Sequence, residues 1–494
     1  MSKFNYMEAT VAGIHAAMLA KEITCRDLVD FYLKRIDAYD KKGTSLNAII
    51  LINPKAREEA DKLDAEFKKT GKLSGPLHGI PILLKDNFDT FDMPTTAGSL
   101  SLAGFIPKDD AFVTARLRKA GAIILVKTNL HEFAIWGETI SSILGQTLNP
   151  YDLTRTPGGS SGGTGAGIAA NFGVIGLGTD TINSIRSPAS ANSLVGIRPT
   201  IGLVSRDGIV PYSFTQDAAG PICRTVEDAV RALDVIVGYD SADPETAWSV
   251  GLVPAGGYAA SLKKDGIKGK RIGVLESFFG KEEKHAEVNR VTKEAIKVFT
   301  QNGAEVVSIT EVIDSGWLVS RVSVHLDDLK DHLNIYLKDL PPNAPVHSVE
   351  EVMASGKYSP SIKANMDTAM ALSTGTPEYN KKLALRTGMR TRVMKLMADY
   401  KLDAIVYPHQ LQLVCKVGES QTARNGVLCS VTGFPSIAVP AGFSQPEPDA
   451  PLGIPIGMEI MGRPWTEPLL IELAYGFEHA TLFRIAPIST PELD

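Results

Sequence analysis

The spacing of apolar residues predicts helices at the N-terminal end of the chain. In residues 28–36 apolar side chains recur every three or four positions, which is typical of one face of a helix. Thr24 and Asp27 stand in front of this stretch at the spacing of a capping box. We therefore predict that residues 7–70 are helical and that residues 1–70 form an N-terminal helical layer.

Further along the chain, short apolar runs alternate with helical stretches. Strands are predicted at residues 80–84, 123–126, 174–177, 271–276, 403–407, 435–439 and 454–460. Helical stretches fall between some of these runs, at residues 111–120, 168–171 and 288–303. Residues 315–400 are more charged and mainly helical in pattern, with a capping box at Ser348 and Glu351. The alternation predicts an α/β protein.

Composition excludes several classes of protein. The 494 residues include 51 Lys and Arg against 56 Asp and Glu, for a net charge of −5, so no basic surface for nucleic acid is expected. No apolar run approaches the length of about 20 residues that a membrane span needs, and no signal peptide is visible. The four cysteines show neither disulfide-framework nor zinc-ribbon spacing. We expect a cytoplasmic protein that does not bind a membrane.

Three segments could carry chemistry: residues 76–87 (PLHGIPILLKDN), 157–163 (PGGSSGG) and 178–186 (GTDTINSIR). Each is weak alone. Lys85, at the end of an apolar run, is commonly a surface lysine, but burial would lower its pKa and turn it into a general base. Ser184 alone is commonly a hydrogen-bonding loop serine.

The glycine-rich segment has several interpretations. It could be a flexible turn, since glycine adopts many backbone conformations. It is not a Walker A loop, because no Gly-Lys-Ser/Thr follows. It matches G-x-S-x-G at Ser160 and at Ser161, but a nucleophile elbow follows directly on a strand, whereas residues 149–157 have the composition of a loop.

Taken together, the three segments resemble the amidase signature family. The resemblance covers residues 9–240 and resumes at 403–464, with GIRPT at 196–200, GFPS at 433–436 and IPIGMEIMG at 454–462. It implies a large mixed β-sheet covered by helices on both faces, in one domain over residues 1–494. Within it, residues 71–310 would carry the catalytic motifs, 315–400 a helical cover insertion, and 401–494 the return to the core sheet.

The resemblance also implies a catalytic triad. Matched motif to motif, Ser184 is the nucleophile, Ser160 is a second serine that follows a cis peptide, and Lys85 is the base. The interval of 24 residues between Ser160 and Ser184 agrees with the family and favours Ser160 over Ser161. Ser161 becomes a hydrogen-bonding candidate behind the site.

The triad is also coherent as chemistry. A serine hydroxyl needs a neighbouring base to become a nucleophile, and no histidine lies beside these serines in the motifs. Neutral Lys85 could take a proton from Ser160 while Ser160 takes one from Ser184. The lysinium could then return the proton to the leaving amine.

The family places its oxyanion hole in the loop before the nucleophile, which here is Thr181, Ile182, Asn183 and Ser184. Ile182 and Asn183 stand where the family commonly has two glycines. Asn tolerates a positive φ but a β-branched Ile does not, so the loop is either held at negative φ or reshaped. Ile182 could also narrow the site towards small acyl groups.

Neighbouring residues are candidates for supporting roles. Asp180 and Arg186 flank the nucleophile and either pin its loop or form an ordinary buried ion pair. Residues 128–134 (TNLHEFA) resemble a substrate-side segment of the family, which makes His131, Trp136 and Gln146 candidates for substrate binding, although Trp136 could equally be a core residue. His131 and Glu132 lack the second histidine of H-E-x-x-H, so neither a metal nor a cofactor is expected.

The function expected from the sequence is hydrolysis of the C–N bond of small amides or carbamates through an acyl-enzyme, with esters as a side activity. One alternative is the glutaminase subunit of a tRNA-dependent amidotransferase, although His131 stands where that subgroup commonly has an acidic residue. Another is a non-catalytic binding protein on the same scaffold, which the joint presence of Lys85, Ser160 and Ser184 disfavours. A homodimer is the expected assembly, because two-fold dimers are the commonest oligomers.

Overall fold

The computed structural model describes residues 4–493, and the strands within them form one large sheet and one small one. The strands are β1 (Ile49–Ile52), β2 (Pro81–Lys85), β3 (Ile123–Thr128), β4 (Ile140–Ser141), β5 (Gly145–Gln146), β6 (Ile175–Asp180), β7 (Val195–Arg198), β8 (Ala218–Cys223), β9 (Arg271–Leu275), β10 (Glu305–Ile309), β11 (Ala404–Pro408), β12 (Ser436–Phe443) and β13 (Pro455–Met461). The large sheet has eleven strands in the order β1-β3-β2-β6-β8-β7-β12-β13-β11-β9-β10, and β4 pairs with β5.

The helices vary in length from a single turn to six turns. They are α1 (Val11–Leu19), α2 (Cys25–Tyr39), α3 (Ala56–Thr70), α4 (Phe112–Lys119), α5 (Gly162–Ala169), α6 (Arg186–Ala191), α7 (Val226–Ile236), α8 (Ala286–Gln301), α9 (Ser315–Trp317), α10 (His325–Lys338), α11 (Val349–Ser355), α12 (Lys363–Met370), α13 (Pro377–Asp399), α14 (Val427–Thr432) and α15 (Glu467–Thr481).

The sheet is mixed and covered on both faces. Strand β2 is parallel to β3 and β6, and β9 is parallel to β10 and β11, whereas the pairs in the middle of the sheet are antiparallel. Helices α5 and α6 pack on central strands that α7, α8 and α15 also contact. In the described part of the chain these two groups of helices share strands but make few or no contacts with each other, so they cover opposite faces. The α/β architecture and large mixed sheet predicted from the sequence are confirmed.

Several predicted elements are confirmed, with shifted ends. Thr24 caps α2 in the reciprocal arrangement expected, since its hydroxyl accepts from Asp27 N–H and the Asp27 carboxylate accepts from Thr24 N–H. At α11 the Ser348 hydroxyl accepts from Glu351 N–H, but the Glu351 carboxylate accepts from His347 N–H instead of from Ser348. Residues 315–400 contain the predicted helices, and α10, α11 and α12 share a separate apolar cluster with the loops beneath them.

Two of the secondary-structure predictions are wrong in detail. Residues 7–70 are not all helical, because residues 49–52 form edge strand β1, antiparallel to β3. A four-residue strand is too short to show a period, so it is hidden between helical patterns. The helix placed at 168–171 begins earlier, at Gly162, inside the glycine-rich segment. A Cβ at Gly165 would meet Pro188, and one at Gly167 would meet Leu83, so these glycines allow α5 to pack closely against its neighbours.

The four cysteines are free and buried. Among residues 4–493, no helix combines the length and the apolarity required to cross a bilayer. The same residues contain no group of three His, Cys, Asp or Glu side chains arranged to hold a metal ion.

Candidate active site

The topology of the sheet brings the ends of two sequence motifs together. Strands β2 and β6 are parallel neighbours, so their carboxyl ends meet at one edge, with Leu84 opposite Leu177. Lys85 is the last residue of β2, and Thr179 lies near the end of β6. The Lys85 ammonium donates to Thr179 Oγ1 at 2.7 Å and to Ser160 Oγ at 2.8 Å. The first motif is thus joined to the second and to the third.

Burial changes the protonation of Lys85. The side chain is fully buried, and loss of water lowers the pKa of its ammonium to about 7, although Asp217 and Asp180 act in the opposite direction. Asn87 donates to Thr179 Oγ1 at 3.1 Å and so fixes the hydroxyl that Lys85 contacts. A lysine with a pKa of about 7 is partly uncharged at physiological pH, and the uncharged amine can accept a proton from a neighbouring hydroxyl.

Ser160 and Ser161 form the turn that leads into α5, and the Gly159–Ser160 peptide bond is cis. The turn is held from outside by Thr139, whose hydroxyl donates to Gly158 O at 2.7 Å. It also lies directly against β6, where a Cβ on Gly178 would approach Ser161 Oγ to 2.7 Å. Glycine at position 178 therefore allows the serine turn to reach the sheet.

Ser184 lies between β6 and α6, next to the serine turn. The Ser161 N–H donates to Ser184 O at 3.3 Å, and the Ser161 hydroxyl donates to Thr179 O at 3.3 Å, so Ser161 joins the two segments from behind. Ser184 is 5% exposed and lines a cavity of about 270 Å³. Ser184 therefore borders a space that a small molecule can enter.

The loop of residues 181–184 has its carbonyls occupied and its amides free. Ile182 O accepts from Ser430 Oγ at 2.6 Å and from Arg186 at 2.7 Å, and Asn183 O accepts from Ser187 N–H at 2.7 Å. Within residues 4–493, none of the four amide N–H groups of this loop donates a hydrogen bond. Free N–H groups beside Ser184 are what an oxyanion requires.

The Ile182-Asn183 pair is accommodated without glycine-like dihedrals, because neither residue has a positive φ. Of the two alternatives left open by the sequence, the loop is therefore held at negative φ. Ile182 is half-buried, packs against the apolar cluster around Phe278 and also lines the cavity. Asn183 is buried, and its Nδ2 has no hydrogen-bond partner in the described part of the chain.

Asp180 and Arg186 belong to a fully buried network of charges behind this loop. Arg186 contacts Asp180 at 3.0 Å and Glu459 at 2.6 Å, and Arg198 contacts Asp180 at 2.8 Å. Burial alone would raise the pKa of both carboxyls. Arg186 and Arg198 outweigh it at Asp180 and hold that pKa well below its usual range, and Arg186 together with His409 lowers the pKa of Glu459 to about 2.

The network is tied to the loop that contains Ser184, because Asp180 also accepts from Ile185 N–H at 3.1 Å. Thr181 is fixed separately, since its hydroxyl donates to Asp217 at 2.5 Å. Sequence reasoning missed Arg198, Glu459 and Asp217. A visible signal was Glu459, a carboxylate inside an otherwise apolar strand, which can be buried only with a partner.

The three residues proposed for substrate binding differ in position. Trp136 is 39% exposed and lines the cavity, so it is not a core residue. His131 is fully buried: its Nδ1 accepts from Glu138 N–H at 3.1 Å, its Nε2 contacts Ser361 Oγ at 3.0 Å, and burial lowers its pKa to about 3. Gln146 donates to carbonyls including Glu138 O at 2.6 Å. Neither His131 nor Gln146 lies among the residues that line the cavity.

Comparison with known proteins gives consistent matches over nearly the whole chain. The family model described as Amidase matches residues 27–471. A "Probable amidase" of Arabidopsis thaliana is 38% identical over 98% of this chain and 92% of its own length. A glutamyl-tRNA(Gln) amidotransferase subunit of Alkaliphilus metalliredigens is 34% identical over 95% of this chain and 96% of its own. The structure of native peptide amidase from Stenotrophomonas maltophilia is 37% identical, covers 98% of this chain and 99% of that one, and has a TM-score of 0.88.

Proposed function

Because this chain belongs to the amidase family, we propose that it hydrolyses small amides and carbamates through an acyl-enzyme on Ser184. The observation that carries the proposal is the hydrogen bond of the buried Lys85 ammonium to Ser160 Oγ at 2.8 Å, in a turn whose next residue, Ser161, contacts the Ser184 backbone. Acyl transfer requires a base with a pKa of about 7, a serine hydroxyl that this base can activate, and backbone N–H groups that can bind the oxyanion.

In the proposed reaction, Ser184 Oγ attacks the substrate carbonyl carbon. Its proton passes to Ser160, whose own proton passes to neutral Lys85. The oxyanion is stabilised by the free amides of residues 181–184. The lysinium returns the proton through Ser160 to the leaving nitrogen, the C–N bond breaks, and ammonia or an amine departs. Water then attacks the ester on Ser184 by the same relay, releasing the acid.

The described residues form no direct hydrogen bond between Ser184 and Ser160. Catalytic hydrogen bonds of this kind commonly tighten only in the substrate complex. The backbone contact from Ser161 to Ser184 already holds the two segments together.

The test is release of ammonia or amine from a panel of aliphatic amides, aryl amides, ethyl carbamate and glutamine. Ser184→Ala and Lys85→Met should each lower kcat by at least about a thousandfold, because the members of such a triad act as one unit. Thr300→Ala, on the solvent side of α8, serves as the control. Turnover that persists in Ser184→Ala would overturn the assignment of the nucleophile.

A second candidate function is favoured by the likeness to the amidotransferase protein of Alkaliphilus metalliredigens. In that role the chain would release ammonia from glutamine in the company of partner proteins. Hydrolysis of simple amides by the isolated chain, with glutamine a poor substrate, would favour the stand-alone hydrolase. Activity confined to glutamine, together with copurifying partner proteins, would favour the amidotransferase. Failure of a serine-directed phosphonate to label Ser184 would instead favour a non-catalytic binding protein.

A further inference from the structure

Arg424 lies on the wall of the cavity that contains Ser184 and has no hydrogen-bond partner within residues 4–493. Its side chain is only 12% exposed, and both Nε and Nη2 are buried. The nearest carboxylate oxygen in the described part of the chain is Glu138 Oε1, at 3.9 Å from Nη2. Because Nε and Nη2 are enclosed by protein, the N–H donors that can face the cavity are those of Nη1, and no described residue accepts a hydrogen bond from them.

The position of Arg424 is defined by packing. Its guanidinium carbon lies 5.4 Å from the centre of the Trp136 ring. On another side it lies against the backbone of Gly137, where any Cβ would collide with the guanidinium. The Trp136 indole is itself fixed, because its N–H donates to Ser420 Oγ at 2.9 Å. Arg424 is thus held in place by contacts that use none of its donors.

A buried guanidinium without acceptors is unfavourable, and such groups are normally satisfied by a ligand or by ordered water. In a cavity that also contains the nucleophile, a substrate oxygen can fill that role. We infer that Arg424 is a specificity-determining residue, which binds a second carbonyl oxygen on the acyl side of the substrate. Preferred substrates are then amides that carry an acylamino group near the scissile carbonyl. This inference rests on the proposed function and names the substrate class of that site.

The charges around Arg424 favour a neutral acceptor over a carboxylate. Glu138 already provides a negative charge beside the guanidinium, and its Oε1 is fixed by Gln421 N–H at 2.6 Å. His131 and His325 add no positive charge, because burial lowers the pKa of each to about 3. A second carboxylate would be repelled by Glu138, whereas a carbonyl oxygen would not.

The size of the cavity fits such a group. A volume of about 270 Å³ is close to that of nine water molecules at roughly 30 Å³ each. An acetylamino group and a short side chain fit this space. Trp136 and Val319, which are 39% and 37% exposed, offer apolar surface to the rest of the acyl part.

The experiment compares two substrates that differ only in the acylamino group, N-acetyl-leucinamide and 4-methylpentanamide. The wild-type protein should prefer N-acetyl-leucinamide in kcat/KM by about ten- to hundredfold, the range expected for a hydrogen bond to a charged group. In Arg424→Met that ratio should fall to within about threefold of unity, and Arg424→Lys should restore part of it. Arg290→Met, an exposed arginine on α8, is the matched control and should leave the ratio as in wild type.

Binding separates this inference from the proposed function. Calorimetric titration of both amides into Ser184→Ala and into Ser184→Ala/Arg424→Met needs no turnover. A preference for N-acetyl-leucinamide that depends on Arg424 supports the inference even if the serine assignment fails. An equal ratio in wild type and Arg424→Met overturns it, whatever the activity. Tighter binding of 4-carbamoylbutanoate than of N-acetyl-leucinamide, abolished by Arg424→Met, would also overturn it, because the acceptor would then be a carboxylate.

Discussion

Lys85 ends a fully buried strand with its ammonium against two hydroxyls, and its protonation should control activity. The neutral form accepts the proton in the proposed reaction, and burial lowers the pKa to about 7. We expect kcat/KM for an uncharged amide to be constant above about pH 7 and to fall below it by tenfold per pH unit, as protonation of a single group requires. A pH profile of kcat/KM between about pH 5 and 9 measures this.

Asp217→Asn provides the matched comparison for that profile. The Asp217 carboxylate raises the pKa of Lys85, so its neutralisation should move the acidic limb to lower pH. If the fall in kcat/KM occurs at the same pH in Asp217→Asn as in wild type, Lys85 is not the group that titrates. Full wild-type activity at pH 5 would contradict the assignment in the same way.

Ile182 is a second residue whose effect on activity can be tested directly. It contacts the cavity and an apolar cluster together, so Ile182→Gly should open the acyl side of the site. We expect the ratio of kcat/KM for hexanamide over acetamide to rise by about tenfold or more, since one methylene in a pocket discriminates by 1–3 kcal/mol. Ile182→Val should shift the ratio less. An unchanged ratio in Ile182→Gly would contradict the proposal that Ile182 narrows the site towards small acyl groups.

At the scale of elements, the buried charges join β6, α6, β7 and β13. Arg186→Met should lower the free energy of unfolding by about 3–5 kcal/mol, because it leaves carboxylates buried with fewer partners. Urea denaturation measures the change. Arg290→Met removes an exposed pair within α8 and should change the stability by less than about 1 kcal/mol. Equal effects of both substitutions would contradict the structural role of the network.

The same network gives the stability a dependence on acid. The pKa of Glu459 in the folded chain is about 2, below its ordinary value of 4.5, so its contribution is complete above pH 4.5 and is lost as pH falls towards 2. The difference in stability between wild type and Arg186→Met should therefore narrow over that window.

The sequence predicted those elements and residues whose signal is local. Runs such as residues 123–126 are apolar and mostly β-branched, and they are strands in the structure. Strand β8 escaped prediction because its sequence, AAGPIC, holds Gly220 and Pro221, which are rare in strands, and only its two neighbours explain it. The buried partners Arg198 and Glu459 come from distant segments, and no spacing rule connects them.

At the scale of the whole molecule, helices α10–α12 cover loops that lead directly to the cavity. Their apolar cluster includes Ala134 and Tyr212, which line the cavity, and Leu333, which is fully buried. Leu333→Ala should lower the free energy of unfolding by about 2–5 kcal/mol and raise KM more than it lowers kcat, because the wall of the cavity loses support.

Ile335→Ala is the control for this prediction. It lies on the same helix but is 58% exposed, so its effect on stability should stay within about 0.5 kcal/mol. A Leu333→Ala variant that loses stability while KM stays at the wild-type value would show that the cover and the cavity are energetically independent.

The order of strands in the large sheet has a consequence for the synthesis of this protein. Strand β7 pairs with β12, and roughly 240 residues of chain separate them. At 5–20 residues per second, a ribosome needs roughly 12–50 s to make that stretch. A half-sheet that folds during this interval would present β7 as an open edge, which could pair with another chain. Chaperones that shield this edge until β12 emerges should therefore raise the yield of folded protein.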